Sequence, residues 1–393
     1  MAAHTPLRIL HCFRSPVGGI FRHVRDLAEE HAKAGHQVGI ICDSTTGGAY
    51  EDKLFESIMP HLALGLTRLP IRRSLGLSDI TTALKTLGEV KNLQPDVLHG
   101  HGAKGGAFVR LIGSRLRVSR SCVARLYSPH GGSLHYSERT LRGQAYFAIE
   151  RLLERWTDNL VFVSDYERRT YETKIGVPRA PWRLIHNGLR AHEFEPVEND
   201  PQAVDFLYIG MMRDLKGPDV FIEALRRAEQ LAGKPLRGVM VGDGDDKARY
   251  QARLDVLGMG DRVKMHDAMP ARDAFAMARS VVIPSRAESM PYIVLEAVAA
   301  GKPVISTEVG GIPEILGAGF AGFVPPGDIE ALAAAMAHAI ADPRWLADAM
   351  PEMTAFKENF SAQTMASKMA ALYRDCLDGR LRDTPDQAAS SLS

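Results

Sequence analysis

Cysteine is scarce in this sequence of 393 residues: there are four, and none stands in a C-x-x-C pair. This spacing argues against a zinc ribbon and against a disulfide-stabilised secreted scaffold, and it suits a reducing compartment. No apolar run reaches the ~18 residues that a membrane-spanning helix needs. The short apolar stretch near the N-terminus is interrupted by Arg8, His11 and Arg14, which argues against a cleaved secretion signal. We therefore expect a cytoplasmic protein.

Net charge is also small, at +1 for the whole chain, but its distribution is uneven. Residues 1–190 carry 27 lysines and arginines against 17 acidic residues, whereas residues 191–393 carry 21 against 30. Residues 97–137 contain six basic side chains and no acidic one. This pattern fits either a solvated basic face or a surface that meets an anionic membrane leaflet or lipid diphosphate. Nucleic acid is disfavoured, because the other half of the chain is acidic and no recognition motif is present.

The composition, 45% hydrophobic and 24% charged, is that of a globular protein. Short apolar runs alternate with amphipathic segments along most of the chain. The predicted strands are residues 8–13, 36–42, 96–99, 122–127, 159–164 and 182–185, and then 205–209, 238–241, 263–265, 281–284 and 303–306. Strands that alternate with helices indicate parallel sheets covered on both faces. The predicted fold class is therefore α/β, with two doubly wound Rossmann-like domains.

Residues 1–190 are expected to form the first domain and residues 204–355 the second. The segment 191–203 is rich in Glu, Pro, Asn and Asp without periodicity, and it is predicted to be a linker. A further helix is predicted over about residues 361–377, and the polar residues 379–393 are predicted to be a disordered tail. In open parallel α/β sheets, ligands bind beyond the carboxyl ends of the strands. The loops that follow the predicted strands are thus the candidate functional segments.

Glycines and cations occupy several of these loops. Gly18 and Gly19 follow the first predicted strand and open a helix, where unpaired N–H groups favour anions. The turn lacks the G-x-G-x-x-G pattern of dinucleotide-binding enzymes, so a nicotinamide cofactor is disfavoured. Arg213 and Lys216 follow the first strand of the second domain and precede a helix, which suits a diphosphate. A simple tight turn and two solvated surface cations are the alternatives.

Acidic residues mark two further loops. Gly242 and Asp243 follow a predicted strand, where they indicate either room for a ligand or ordinary turn chemistry. Glu288 and Glu296 lie around the start of another helix, for which Ser289 is the expected cap. A helix spanning their separation would rise roughly 12 Å, more than the ~5–9.5 Å of hydrolase carboxylate pairs. The two glutamates therefore suit two contacts along one elongated ligand better than an acid–base pair.

With seven residues between them, Glu288 and Glu296 resemble the E-x7-E motif of retaining glycosyltransferases of the GT-B fold, in the large group numbered family 4. Other matching segments follow in the same order up to about residue 377. They are Gly18 and Gly19, residues 95–101, 104–105, 128–131, 163–164, 187–188, 210–216, 242–244 and 310–314. The resemblance implies GT-B architecture, with two Rossmann-like domains that face each other across a cleft and a C-terminal helix, about residues 361–377, that packs back on the first domain.

The resemblance also implies roles for individual residues. Glu288 would hold hydroxyls of the donor sugar, Glu296 the ribose, and His130 would lie near the reacting centre. The implied catalytic residues are His130 and Glu288. The implied nucleotide-sugar-binding residues are Gly18, Gly19, Arg213, Lys216, Gly242, Asp243, Met290, Pro291, Tyr292 and Glu296.

No obligatory cofactor is expected beside the nucleotide-sugar substrate, because the family requires no metal. His99 and His101 alternate along a strand end and are expected to face opposite ways, which would leave no metal-ligand cluster. The expectation for metal ligands is therefore none.

The leading interpretation is a retaining glycosyltransferase that moves a sugar from a UDP- or GDP-linked donor to an acceptor hydroxyl. The basic first domain favours a saccharide or lipid-linked acceptor and an anionic membrane surface as partners. Such a protein would serve bacterial cell-surface polysaccharide, lipopolysaccharide or glycolipid synthesis, on the cytoplasmic face of the inner membrane. The alternatives are a GT-B nucleotide-sugar epimerase, which needs no acceptor, and a non-catalytic nucleotide-sugar-binding protein.

Overall fold

The predicted alternation of strands and helices is present in the structure, a computed structural model that describes residues 5–71, 78–118 and 123–379. The described chain forms two units. The first unit runs to Gly188 and resumes at Ala362, and the second unit spans Leu189–Ser361. Both are built on parallel sheets with helices between successive strands, so the α/β fold class is confirmed.

Seven parallel strands form the sheet of the first unit, in the order β3-β2-β1-β4-β5-β6-β7. The strands are β1 (Arg8–Phe13), β2 (Gln37–Asp43), β3 (Leu66–Leu69), β4 (Val97–His101), β5 (Ala124–Ser128), β6 (Asn159–Phe162) and β7 (Trp182–Leu184). The helices are α1 (Gly18–Lys33), α2 (Ala49–Ile58), α3 (Ser78–Leu93), α4 (Gly102–Val118), α5 (Leu141–Leu153) and α6 (Asp165–Lys174). Because the strand order reverses between β1 and β4, a ligand crevice is expected at their carboxyl ends.

The second unit has a six-stranded parallel sheet in the order β10-β9-β8-β11-β12-β13. Its strands are β8 (Val204–Ile209), β9 (Gly238–Val241), β10 (Val263–His266), β11 (Ala278–Ile283), β12 (Val304–Thr307) and β13 (Phe323–Val324). Its helices are α7 (Pro218–Ala232), α8 (Lys247–Val256), α9 (Ala271–Ala276), α10 (Tyr292–Ala299), α11 (Ile312–Leu316), α12 (Ile329–Ala341), α13 (Arg344–Ala349) and α14 (Met353–Phe360). Here the order reverses between β8 and β11.

The last helix of the described chain, α15 (Ala362–Leu377), packs on the sheet of the first unit. Its buried side chains include Met365, Met369 and Tyr373, which join a core cluster with Ile9 and Leu27. Complete burial of an aliphatic side chain of this size contributes roughly 1.5–3 kcal/mol. The helix at the C-terminal end of the described residues therefore supplies part of the core of the first unit.

The segment predicted as a linker, residues 191–203, lies within the second unit. It begins with a 3-10 turn, Ala191–Phe194. Its backbone is tied to that unit, because the Val197 N–H donates to the carbonyl of Ala300 at 3.0 Å and the Asp200 N–H to that of Ala276 at 2.8 Å. Of the predicted tail, residues 380–393 lie outside the described residues, as does Cys122 at the start of a predicted strand.

Polar caps fix several helix starts. The Ser164 side chain accepts a hydrogen bond from the backbone of Glu167 at 3.1 Å and thereby begins α6. The Asp328 carboxylate does the same for α12, accepting from Ala331 at 2.9 Å. Within the described ranges, we find no helix that combines the length and the apolar character that crossing a membrane requires.

Candidate functional site

The loops at the carboxyl ends of the second sheet are joined by backbone hydrogen bonds. The bonds that join neighbouring loops run from Met212 N to Asp243 O (2.9 Å), from Arg286 N to Leu215 O (2.8 Å) and from Gly311 N to Ser289 O (2.7 Å). They tie the loop after β8 to the loops after β9 and β11, and the loop after β11 to that after β12. The side chains on these loops are therefore held at fixed positions by their neighbours.

Two glycines allow this close packing. Gly310 has a φ of +63°, and a Cβ atom at this position would collide with the carbonyl of Glu288. Gly242, with a φ of +148°, packs in the same way against the carbonyl of Gly210. Because only glycine adopts these backbone conformations without strain, both positions require it. Gly242 thus has a packing role at the end of β9, and its predicted contact with a nucleotide stays a prediction.

Lys216 and Glu288, which stand 72 positions apart in the sequence, form an ion pair in this loop region. The Lys216 Nζ atom lies 2.6 Å and 2.7 Å from the two carboxylate oxygens of Glu288. The Ser285 hydroxyl donates to the same carboxylate at 2.7 Å, and Thr307 donates to the Ser285 carbonyl at 2.6 Å. The Glu288 side chain is 8% exposed and that of Lys216 is 22% exposed. The structure therefore unites a cation predicted for a diphosphate with a carboxylate predicted for a sugar.

Arg213 lies at the start of the 3-10 turn Asp214–Lys216, on the same loop as Lys216, and its side chain is exposed. The turn ends at Gly217, which begins α7 with Pro218 as the first helical residue. An exposed arginine and a part-buried lysine on one loop before a helix N-terminus retain the arrangement that suits a diphosphate.

The start of α10 differs from the expectation in one respect. Pro291, not Ser289, is the N-cap residue, its backbone is extended, and no side chain caps the helix. The expectation that Ser289 caps this helix is therefore wrong. Met290 and Tyr292 on either side are buried, at 5% and 9% exposure, and Glu296 is the fifth residue of the helix and half-buried. Because no side chain caps this end of the helix, the groups that it can offer to an anion are its backbone N–H groups.

Asp243 has a structural role that its sequence context did not reveal. Its carboxylate accepts hydrogen bonds from the Ala268 N–H and from Lys247, both at 3.0 Å. These bonds lower the pKa of Asp243, so that it stays ionised at neutral pH. It thereby links the loop after β9 to the loop after β10.

In the first unit, Gly18 and Gly19 form the exposed start of α1. The N-cap residue is Val17, whose side chain makes no capping hydrogen bond, and Gly18 takes a φ of +68°. A 16-residue helix that begins without a side-chain cap presents N–H groups and the positive end of its dipole. This environment favours an anion, and the contact of Gly18 and Gly19 with a nucleotide-sugar stays a prediction.

A cluster of buried histidines lies under the same end of the first sheet. His99 and His101 are both buried, their ring centroids are 4.1 Å apart, and both rings lie near His11 of β1. The expectation that these two histidines face opposite ways is wrong, because residues two apart on a strand share one face. Parallel pairing places His11 beside His99 in register. His99 bonds the hydroxyls of Tyr373 at 2.8 Å and Ser128 at 2.9 Å.

His130, the predicted catalytic residue of this unit, has a φ of +49°. This left-handed conformation is rare for a residue other than glycine. Glu167 stabilises it: its carboxylate accepts from the Gly131 N–H at 2.6 Å and from the Val163 N–H at 3.0 Å. The His130 Nε2 atom lies 3.0 Å from Nδ1 of His101. Backbone and side chain of His130 are therefore both held by buried neighbours.

The sequence patterns do not identify His11 and His23 as members of this cluster. His23 of α1 is buried and lies 3.0 Å from the Asn187 side-chain oxygen through its Nδ1 atom, and burial lowers its pKa to about 4. A histidine on the apolar face of a helix and another inside an apolar strand are the signals that could have identified them.

In two groups the ring nitrogens lie within 4.8 Å of one another, close enough to hold a metal ion: His11, His99 and His101, and His23, His101 and His130. The expectation of no metal-ligand cluster is therefore wrong, while the absence of a bound metal stays a prediction.

Comparison with known proteins assigns this architecture. Residues 17–193 match the family model described as glycosyltransferase family 4, and residues 203–342 match that of glycosyl transferases group 1. The chain is 25% identical over 399 aligned positions to glycogen synthase of Mycobacterium tuberculosis, covering 94% of each protein. It is 29% identical to D-inositol 3-phosphate glycosyltransferase 1 of Catenulispora acidiphila, covering 72% of this chain and 73% of the relative. The structure of Anabaena Alr3699/HepE in complex with UDP matches with a TM-score of 0.75 at 18% identity, over 94% of this chain and all of the other.

Two doubly wound, Rossmann-like units with these matches define a glycosyltransferase of the GT-B type. The protein is accordingly a transferase, and both of its units carry sequence signatures of that enzyme class.

Proposed function

We propose that this glycosyltransferase is a retaining enzyme that transfers a sugar from a UDP- or GDP-linked donor to an acceptor hydroxyl. The observation that carries the proposal is the Lys216–Glu288 pair, at 2.6 Å and 2.7 Å, where the carboxyl ends of β8 and β11 meet. A structural neighbour was solved with UDP, which supports a nucleotide-linked donor. Glu288 and Glu296 form the E-x7-E motif on which the retaining assignment rests.

The pair suits exchange of partners when the donor binds. Lys216 would leave Glu288 for the diphosphate, and sugar hydroxyls would donate to the Glu288 carboxylate in its place. Each charged group then keeps a partner. A buried charge left without one would cost several kcal/mol. Arg213 adds a second cation for the diphosphate, and Glu296 meets the ribose. Charge that develops on the departing diphosphate is thereby stabilised electrostatically, by groups already in position.

The roles of Gly18, Gly19 and His130 follow the resemblance. The uncapped start of α1 would receive a phosphate or sugar oxygen, and His130 would donate a hydrogen bond near the reacting centre. We propose that transfer requires no obligatory metal or other cofactor. Full activity after exhaustive dialysis against EDTA is the expected result, and activity restored only by an added divalent ion would contradict it.

The test of the donor begins with thermal shift against UDP- and GDP-sugars. A ligand at 100 times its Kd stabilises the native state by about 2.7 kcal/mol, which such a screen detects. Product analysis with the selected donor, with and without candidate saccharide or glycolipid acceptors, then identifies the reaction. Retention of the anomeric configuration supports the proposal. A new nucleotide-sugar formed without acceptor would identify an epimerase, and binding without any product would identify a non-catalytic protein.

Replacing Arg213 or Lys216 by alanine is expected to weaken binding of the free nucleoside diphosphate, whatever sugar the donor carries. A hydrogen bond to a charged group contributes roughly 1.5–3 kcal/mol, which corresponds to about tenfold to a hundredfold in affinity. Titration calorimetry with UDP and GDP measures the effect. Arg237→Ala, on an arginine at the opposite end of the same sheet, is the control. Unchanged affinity in both variants would show that the diphosphate binds elsewhere.

We further propose that the protein serves bacterial cell-surface polysaccharide, lipopolysaccharide or glycolipid synthesis at the cytoplasmic face of the inner membrane. Two arginines of the acid-free stretch do not support this idea. Arg110 and Arg125 are buried and paired with Glu150 at 2.7 Å and Asp158 at 2.9 Å. Their charges are therefore neutralised inside the unit and offer nothing to a membrane.

The support comes instead from α5. Leu141, Ile149 and Leu152 are 86%, 41% and 47% exposed, and their spacing places them on one side of the helix. Arg142, which is exposed, and Arg155, just beyond the helix end, add positive charge beside them. An exposed apolar stripe flanked by cations is typical of helices that lie in a membrane interface. A lipid-linked acceptor would be presented at this surface.

Replacing Leu141, Ile149 and Leu152 together by glutamine is expected to reduce affinity for vesicles of phosphatidylglycerol and phosphatidylcholine by tenfold or more. Glutamine keeps helix propensity while removing apolar surface, and burial of each leucine contributes roughly 1.5–3 kcal/mol. Flotation at low and high salt measures binding, which should weaken as salt rises. Leu231→Gln with Val256→Gln, on exposed residues of the second unit, is the control. Equal flotation of all three proteins would contradict the proposal.

A further inference from the structure

Three histidines of the first unit form a hydrogen-bonded chain from the core to the candidate site. His11 Nδ1 lies 2.9 Å from His101 Nε2, and His101 Nδ1 lies 3.0 Å from His130 Nε2. His11 and His101 are completely buried, at 0% and 1% exposure, whereas His130 is half-buried. The chain therefore ends on the residue for which the sequence predicts a catalytic role.

The bonds join imidazole to imidazole with no carboxylate among the three residues, so burial favours the neutral form of each ring and holds its pKa well below the ordinary value. A neutral imidazole has one N–H donor and one nitrogen lone pair. Two successive bonds through His101 can then run in only two ways: from His11 toward His130, or from His130 toward His11. The direction determines which nitrogen of His130 carries the proton.

The other ring nitrogen of His11 distinguishes the two directions. His11 Nε2 is buried and has no hydrogen-bond partner among the described residues. If the bonds run toward His130, this nitrogen carries a lone pair that accepts no hydrogen bond. If they run the other way, it is an unpaired N–H. Buried N–H groups without an acceptor are the rarer and more costly defect in proteins. The favoured direction is therefore from His11 to His101 and on to His130 Nε2.

His23 does not reverse this assignment. Its ring lies 4.7 Å from that of His130, between centroids, but its Nδ1 atom is 3.0 Å from the side-chain oxygen of Asn187. Because an amide oxygen only accepts, the proton of neutral His23 lies on Nδ1. His23 Nε2 therefore has no proton to donate to His130.

We propose that His11 and His101 are positioning residues that hold His130 as its Nδ1–H tautomer. With Nε2 accepting from His101, the remaining ring nitrogen of His130 meets substrate as a hydrogen-bond donor. A sugar hydroxyl or phosphate oxygen would accept this bond. The tautomer follows from the hydrogen bonds between the three histidines alone, whereas its use in catalysis rests on the proposed function.

Nitrogen NMR of protein labelled with ¹⁵N-histidine tests the tautomer without any substrate. The His130 resonances are assigned by their absence in His130→Gln. In the wild-type protein, Nδ1 of His130 should carry the proton and Nε2 should not. In His101→Phe, which keeps an aromatic ring but removes the donor, His130 should lose this single tautomer. His101→Asn should restore it, because an asparagine amide can donate from nearly the position of the histidine Nδ1.

Kinetics with the donor selected by thermal shift test the consequence. His101→Phe should lower kcat roughly tenfold, about the value of one hydrogen bond, with KM for the donor changed less than about twofold. His101→Asn should recover most of the loss. His31→Phe is the matched control, since His31 is buried in the same unit and bonded instead to the carbonyl of Ala366 at 3.1 Å. It should change neither the tautomer nor kcat.

A proton on Nε2 of wild-type His130, or an unchanged tautomer in His101→Phe, would overturn the proposal. So would spectra that change on treatment with EDTA, since a metal ion would then join these rings. If His101→Phe does not fold, the wild-type spectrum still decides the direction of the chain. The expected tautomer together with unchanged kcat in His101→Phe would overturn the positioning role. A wild-type protein that transfers no sugar would contradict the proposed function instead, and leave the tautomer standing.

Discussion

Replacing Glu288 by glutamine is expected to reduce sugar transfer by roughly 100-fold, because each charge-assisted hydrogen bond that we propose between its carboxylate and the donor sugar would contribute about 1.5–3 kcal/mol. Binding of the free nucleoside diphosphate should remain or become tighter. The Glu288 carboxylate neutralises Lys216 at 2.6 Å, so the substitution frees this cation for phosphate. Loss of activity and retained nucleotide affinity are thus expected from the same change.

Calorimetry with UDP and GDP, combined with transfer assays, measures both quantities. Glu296→Gln should modestly weaken binding of the nucleotide, since the resemblance places Glu296 at the ribose. Glu330→Gln is the control, because Glu330 is an exposed glutamate of the same unit whose ion pair with Arg227 lies at the surface. If Glu288→Gln abolished nucleotide binding while Lys216→Ala left it intact, the assignment of sugar and diphosphate subsites would be reversed.

Lowering the pH from about 7 to about 4.5 is expected to destabilise the first unit strongly. Burial lowers the pKa of His23 from 6.5 to about 4 and that of His31 to about 3. The unfolded chain therefore binds protons below pH 6.5 that the folded chain does not, and stability falls as the pH falls. Each histidine whose pKa is lowered in this way reduces the free energy of unfolding by about 1.4 kcal/mol for every pH unit between its unfolded and folded pKa values. For His23 the full loss, reached near pH 4, is about 3 kcal/mol.

Urea denaturation at pH 7.5, 6.0 and 5.0 measures this dependence. His31→Phe should reduce the slope of the unfolding free energy by about 1.4 kcal/mol per pH unit below pH 6.5, since one proton fewer is taken up on unfolding. His192→Gln, on an exposed histidine of the second unit, is the control. Equal slopes for wild type and His31→Phe would mean that His31 is already protonated in the folded protein.

The sequence by itself determined the fold class. The residues of β9, for example, are buried throughout, so they read as a continuous apolar run between helices and turns. In the first unit, two elements escaped this reasoning. Of the described side chains of the helix α2 (Ala49–Ile58), only Phe55 and Ile58 are buried, and β3 (Leu66–Leu69) is an edge strand whose residues are only half-buried. Period and burial, the signals on which prediction depends, are weakest where an element is exposed.

The sequence also indicated that the candidate loops of the second unit lie together, because parallel strands bring their carboxyl ends to one edge of the sheet. It did not indicate that Lys216 and Glu288, on two of those loops, would bond each other. Nor did it indicate that Arg110 would be neutralised by Glu150 inside the first unit. Charge counts along a chain do not distinguish a buried ion pair from a solvated face, since pairing depends on contacts between distant segments.

Only the tertiary structure decided the histidine chain. His11 and His101 come from different strands, and the register of β1 beside β4 places their rings on one face. His130 joins them because Glu167, from the start of α6, fixes the left-handed turn at the end of β5. Hydrogen bonds between side chains require an alignment of a few tenths of an ångström. Sequence patterns determine which residues are buried, and the packing of whole elements determines which of those residues meet.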